Sequence, residues 1–131
     1  MTDLKQAAEM LEDAFERINR ESMQDIPIVN SMLQVQALGF REHEGRAMGV
    51  VITPWLMSLV LLPGEGDSWD GKQLGGKRSL DFPSGSYRFL LNEIEGVGRF
   101  LAHSLYSPMH EFINQDHAIA AAEGFLERLQ Q

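Results

Sequence analysis

The chain has 131 residues, 44% hydrophobic and 23% charged, with a net charge of −8 and no cysteine. That length fits one domain with a real core, and the composition excludes disulfides, thiolate metal sites and thiol nucleophiles. The acidic excess lies at the ends, with seven acids against three bases in residues 1–25 and four against one in 101–131; phosphate binding needs a basic face, so nucleic acid is not an expected partner.

The N-terminal stretch "MTDLKQAAEMLEDAFERINRES" is acidic and amphipathic, unlike a secretory signal. A cytoplasmic protein is expected. Leu4, Ala7, Ala8, Leu11, Ala14, Phe15 and Ile18 recur at helical spacing, which predicts a helix over about 3–22 capped by Thr2 or Asp3. Pro27 ends it, because the residue before a proline disfavours helical geometry. "LQVQA" then alternates, with Leu33, Val35 and Ala37 on one face, and "AMGVVIT" follows the turn "REHEGR", so 33–53 reads as a hairpin.

Pro54 interrupts the run before "WLMSLVLL" resumes it. The uncharged run from Ala47 to Pro63 is too short and too broken for a membrane span, so no membrane insertion is expected. Leu59, Val60, Leu61 and Leu62 read as a core strand covered on both faces. "GEGDSWDGKQLGGKR" holds five glycines and reads as a flexible surface loop with a solvated cluster of Lys72, Lys77 and Arg78. "SLDFPSGSYRFLL" reads as a turn and then a strand, and "FLAHSLY" as strand or helix. A second amphipathic helix is predicted over about 115–129, with Ala118, Ile119, Ala122, Phe125, Leu126 and Leu129 as its stripe and Asn114 or Asp116 as its cap. The expected fold is α+β: a single domain, 1–131, in which a mostly antiparallel sheet (strand-rich 33–106) packs with the two terminal helices.

Nothing in the sequence marks a catalytic centre. His103 and Ser104 are adjacent, which on a strand points them to opposite faces. The glycine-rich loop lacks a phosphate-loop pattern. His103, His110 and His117 recur every seven residues, with Glu111 and Asp116 nearby. They sustain the alternative of a small metal-delivery or ligand-binding protein, although no HExxH or cysteine anchors such a site. The reading is of a non-enzyme with no cofactor and no metal.

Three segments stand apart from ordinary core: "TPWLM", "DFPSGSY" and "SLYSPMHEF", each joining an aromatic residue, a proline and small polar residues. "ITPWLMSLVLLP", "FPSGSYRF" and "SLYSPMHEF", in that order, resemble the HybE/HupJ family of [NiFe]-hydrogenase assembly chaperones, over a stretch from about Val29 to the C-terminal helix. The chain departs from the family pattern mildly, at Leu56, Ser58 and Tyr106. Some members carry a rubredoxin domain, which a chain without cysteine cannot form. The resemblance implies a chaperone that binds immature hydrogenase subunits in the cytoplasm, possible clients being the large-subunit precursor and the small subunit with its twin-arginine signal; other maturation proteins could be further partners. It hands over no catalytic residue set. The expected client surface comprises Thr53, Pro54, Trp55, Met57, Phe82, Pro83, Tyr87, Tyr106, Pro108 and Met109, with the prolines holding the loops in fixed shapes.

Overall fold

A computed structural model describes residues 3–69 and 71–131. The first helix, α1 (Leu4–Ile18), starts where Asp3 Oδ1 accepts a hydrogen bond from the Gln6 amide at 3.0 Å; Thr2 lies outside the described residues. It buries Ala7, Leu11, Ala14 and Phe15 and continues through a wider π-type turn, Asn19–Met23. Six strands follow: β1 (Gln36–His43), β2 (Arg46–Ile52), β3 (Met57–Leu61), β4 (Lys77–Phe82), β5 (Gly85–Ile94) and β6 (Gly98–Tyr106). The chain then enters α2 (Gln115–Leu129), whose first turn is capped by Asn114 Oδ1 accepting from the His117 amide at 2.8 Å. Among the described residues, no helix is long and apolar enough to cross a membrane.

All strand pairs are antiparallel, in the order β1-β2-β3-β6-β5-β4. β3 lies between β2 and β6, and every residue in it is buried. This explains the uncharged run: a strand covered on both faces has no position for a charge. Leu59, Val60, Leu61 and Leu62 are core, as expected.

Alternation along each strand divides the core in two. Ala47, Val51, Val60, Leu62 and Phe100 pack with Ala7, Leu11 and Phe15 of α1. Met48, Val50, Ile52, Leu59, Leu61, Phe89 and Leu101 pack with Ala118, Ala122, Leu126 and Leu129 of α2. Each fully buried aliphatic or aromatic side chain stabilises the fold by roughly 1.5–3 kcal/mol.

β1 departs from simple alternation. Its register with β2 slips between Leu38 and Arg41, where Gly39 has φ +68°. This is a β-bulge, and the positive φ favours glycine there. Leu38 packs toward the α2 side, whereas Phe40, two residues on, packs toward the α1 side. The alternation expected from Leu33 also begins late: Val35 and Ala37 share the α1 side, but Leu33 precedes the strand and packs with the other cluster.

Two sequence readings are corrected. Ser79–Phe82, read as turn, belongs to β4, which pairs with β5 from Lys77↔Leu90 to Phe82↔Gly85. β4 closes the sheet at one edge and exposes Lys77, Arg78, Ser79 and Asp81, so it lacks the apolar alternation that marks a half-buried strand. The segments 64–69 and 71–76, read as part of a flexible loop, are tied down. Asp67 accepts a bidentate pair from Arg46, at 2.7 and 3.0 Å, and a further bond from the Gly64 amide at 2.8 Å. Arg99 Nη1 donates to the Trp69 and Lys72 carbonyls, and Gly75 and Gly76 pair with the backbone of Leu91. The open alternative for "FLAHSLY" resolves to strand, in β6.

Candidate functional site

The sheet end that carries the three motifs is built on loops 24–35, 53–56 and 107–114. The turn Thr53-Pro54-Trp55-Leu56 joins β2 to β3, with Ile52 paired to Met57 at its base. Thr53 is completely buried, and its hydroxyl explains the turn. The Trp55 and Leu56 amides donate to Oγ1 at 3.2 and 2.9 Å, and Oγ1 donates to the Leu56 carbonyl at 3.0 Å. The Thr53 amide also donates to that carbonyl, at 2.8 Å.

Asn30 links all three loops. Its amide donates to the Pro54 carbonyl at 2.8 Å. Its side-chain nitrogen donates to the carbonyls of Met109 and Phe112, at 2.9 and 2.8 Å. Its side-chain oxygen accepts from the Met32 amide at 3.0 Å, closing an Asx turn. Gln115 adds a second link, accepting from the Gln34 amide at 2.9 Å and donating to the Gln34 carbonyl and to Gln36. The 24–35 and 107–114 segments are thereby joined into one platform.

What this platform shows to solvent differs from the sequence expectation. Thr53, Pro54, Trp55, Met57, Phe82 and Met109 are buried. They also fail to form one patch. Trp55 packs on the α1 side, its ring 6.4 Å from Phe15, while Met57, Phe82 and Met109 belong to the α2-side cluster with Tyr87 and Tyr106 packed against it. The expectation of a single apolar contact surface made of these side chains is therefore corrected. The physical reason is that a turn at the end of a central, doubly covered strand has core on either side of it. Pro83 and Pro108 are exposed, and Tyr87 and Tyr106 are half-buried.

The apolar side chains that do face solvent were missed. Ile28 is 46% exposed, Met32 64% and Ile113 71%, all on the two loops joined by Asn30. The sequence signal was faint: "PIVNSM" is an asparagine set among apolar residues just after a proline, a pattern for an Asx turn that keeps its neighbours out of the core.

The histidines are not assembled. His103 lies on β6, and its Nδ1 donates to the Arg88 carbonyl at 2.8 Å, with its ring against those of Tyr87 and Phe89. His117 sits in the first turn of α2, and its Nδ1 accepts from the Ile113 amide at 3.2 Å. His110 is exposed on its loop. Among the described residues, no group of three or more His, Asp or Glu side chains could hold a metal ion.

Comparison with known proteins agrees with the three motifs. The family model described as "[NiFe]-hydrogenase assembly, chaperone, HybE" matches residues 6–131. The chain belongs to the HybE family. Similar relatives include the probable rubredoxin HupJ of Rhodobacter capsulatus, 44% identical over 115 residues, an alignment that covers 88% of this chain and 41% of that protein. The hydrogenase-2 operon protein HybE of Escherichia coli K12 is 35% identical over 111 residues, covering 85% of this chain and 65% of the relative. The chain thus spans less than half of the first relative and about two thirds of the second. The solution structure of HybE from Escherichia coli superposes with a TM-score of 0.75 at 29% identity, covering 94% of this chain and 76% of that one. The α+β architecture is therefore shared with a solved HybE-family structure.

Proposed function

We propose that this HybE-family chain is a non-catalytic, cytoplasmic assembly chaperone that holds an immature [NiFe]-hydrogenase subunit against the loop platform. The observation that carries this reading is the exposure of Ile28, Met32 and Ile113 on loops that Asn30 fixes in place. Exposed apolar groups on a pre-ordered surface favour binding of a client, because little ordering entropy is lost. Methionine adds adaptable area, which suits a client that is incompletely folded. Tyr106 and Pro108 flank the platform, with Pro83 and Tyr87 at the β4–β5 turn of the same sheet end. Buried Thr53, Pro54, Trp55, Met57, Phe82 and Met109 act from beneath, by holding the loops in shape. The clients would be the large-subunit precursor or the small-subunit precursor with its twin-arginine signal, and the acidic helices favour the arginine-bearing one.

The test is binding of each purified precursor subunit to the whole chain, compared with Met32→Asp/Ile113→Asp. The double variant is expected to bind about tenfold or more weakly, since each carboxylate would lose its hydration in an apolar contact. Its circular dichroism and melting temperature should match those of the parent, because both sites are exposed. Undiminished binding by the variant would move the client surface elsewhere. Failure of the parent to bind either precursor would end the chaperone–client reading.

A further inference from the structure

Beside the tied-down segments 64–69 and 71–76 lies a cleft with no role in the platform. Its volume is 470 Å³, within the range of ligand-binding pockets, and Trp69, Leu91 and Leu101 contribute apolar walls. Lys72, Lys77 and Arg78 also line it. All three cations are exposed, and the ion pairs among the described residues are His43–Glu44, Arg46–Asp67 and Arg99–Glu93, none of which uses them. Asp67 lies within the field of Arg78, but its carboxylate oxygens are engaged by Arg46 and the Gly64 amide. In a chain of net charge −8, Lys72 and Arg78, which make no ion pair among the described residues, set two cations beside the apolar walls of this cleft.

The walls are prepared rather than loose. Arg99 holds the Trp69 and Lys72 carbonyls from one side, with Nη1 at 3.0 and 2.6 Å. The guanidinium of Arg46 lies 6.0 Å from the Trp69 ring centroid. The Gly75 amide donates to the Leu91 carbonyl at 2.8 Å, and the Leu91 amide to the Gly76 carbonyl at 3.0 Å. Two glycines thus continue the sheet beside β5 and bring Arg78, paired with Phe89 on the α2-side face, to the cleft mouth, whereas Lys77, paired with Leu90, starts from the opposite face. These bonds fix the backbone on which Lys72 and Arg78 stand, so a ligand need order only their side chains.

From this geometry we infer that the cleft binds an organic acid: an apolar body seated against Trp69, Leu91 and Leu101, ending in a carboxylate between Lys72 and Arg78. An inorganic anion would use only the cations and would leave the apolar walls wet. A neutral ligand would leave both cations unused. The carboxylate could come from a small free acid or from the C-terminal residue of a polypeptide; both present the same chemistry. The inference goes beyond the platform reading and does not depend on it.

The experiment uses the full chain and four probes: octanoate, octanamide, the peptide N-acetyl-Ala-Ala-Leu-Leu with a free C-terminus, and inorganic phosphate. Calorimetry gives affinity, and the nitrogen-proton NMR signal of the Trp69 indole, compared with that of Trp55, reports location. Octanoate or the peptide acid is expected to bind about tenfold or more tightly than octanamide and than phosphate, and to shift the Trp69 signal alone. Lys72→Ala and Arg78→Ala, both at exposed positions, should each weaken binding about tenfold, the loss of one charge-assisted contact. Octanoate alone binding identifies a small-acid site; the peptide acid binding identifies a site for a polypeptide end. Equal binding of octanamide, equal binding of phosphate, or no shift at Trp69 would each overturn the inference.

Discussion

Thr53 shows how a polar residue in the middle of a recognisable motif can be hidden. Its hydroxyl meets two amides and one carbonyl within a single turn. Valine has the same shape but would leave the Trp55 and Leu56 amides without that partner. Thr53→Val is expected to lower stability by about 2 kcal/mol, read from urea unfolding, against near neutrality had the side chain faced solvent. Asp67 makes a different prediction. Its hydrogen bonds from Arg46 hold its carboxyl below the ordinary 3.8, down to about 2. A carboxylate with a depressed folded-state pKa stabilises the protein above its unfolded pKa and loses that contribution as pH falls. The parent should therefore exceed Asp67→Asn in stability above about pH 4 and lose roughly 1 kcal/mol of that margin between about pH 4 and 2, a modest figure because the pair reaches solvent. Melting curves of both proteins across that window check the sign; an unchanged margin would show that the pair contributes nothing that titrates.

Elements show which features sequence could reveal. Both helices were legible, because each carries a sustained apolar stripe and a capping Asp3 or Asn114. β3 was legible as core from its unbroken apolar run. β4 was not, because an edge strand with one wet face carries little pattern. The burial of "TPWLM" was also not legible: its composition suits a contact surface as well as a core, and only the position of the turn between two packed layers decides. The β1 bulge was equally hidden, since it depends on how two strands meet. Its consequence is that the Phe40 ring lies across Gly49, where an added Cβ would come within 2.3 Å of a ring carbon. Gly49→Ala must therefore displace Phe40, and is expected to cost about 1–3 kcal/mol in unfolding free energy. A variant as stable as the parent would mean that the ring moves freely and that the bulge does not hold it.

At the scale of the whole molecule, one sheet serves two cores. Phe15 packs on the α1 side and Leu126 on the α2 side, and among the described residues none belongs to both buried clusters. The strands join them, since Val50 faces one cluster and Val51 the other along the same backbone. Losing either core should expose the hydrogen-bonded sheet to water on one face, so neither half is expected to survive alone. Phe15→Ala should then cost roughly 3–5 kcal/mol and Leu126→Ala roughly 2–5, each in a single transition with an unchanged dependence on urea. With no shared side-chain partners, the two losses should add to within about 0.5 kcal/mol in the double variant. Tryptophan fluorescence separates the outcomes, because Trp55 reports the α1 side and Trp69 the α2 side. Coincident transitions at both indoles would establish one cooperative unit. If Phe15→Ala instead released the Trp55 signal while Trp69 stayed native, the α1 layer would be a separable cover on an independently stable β–α2 core.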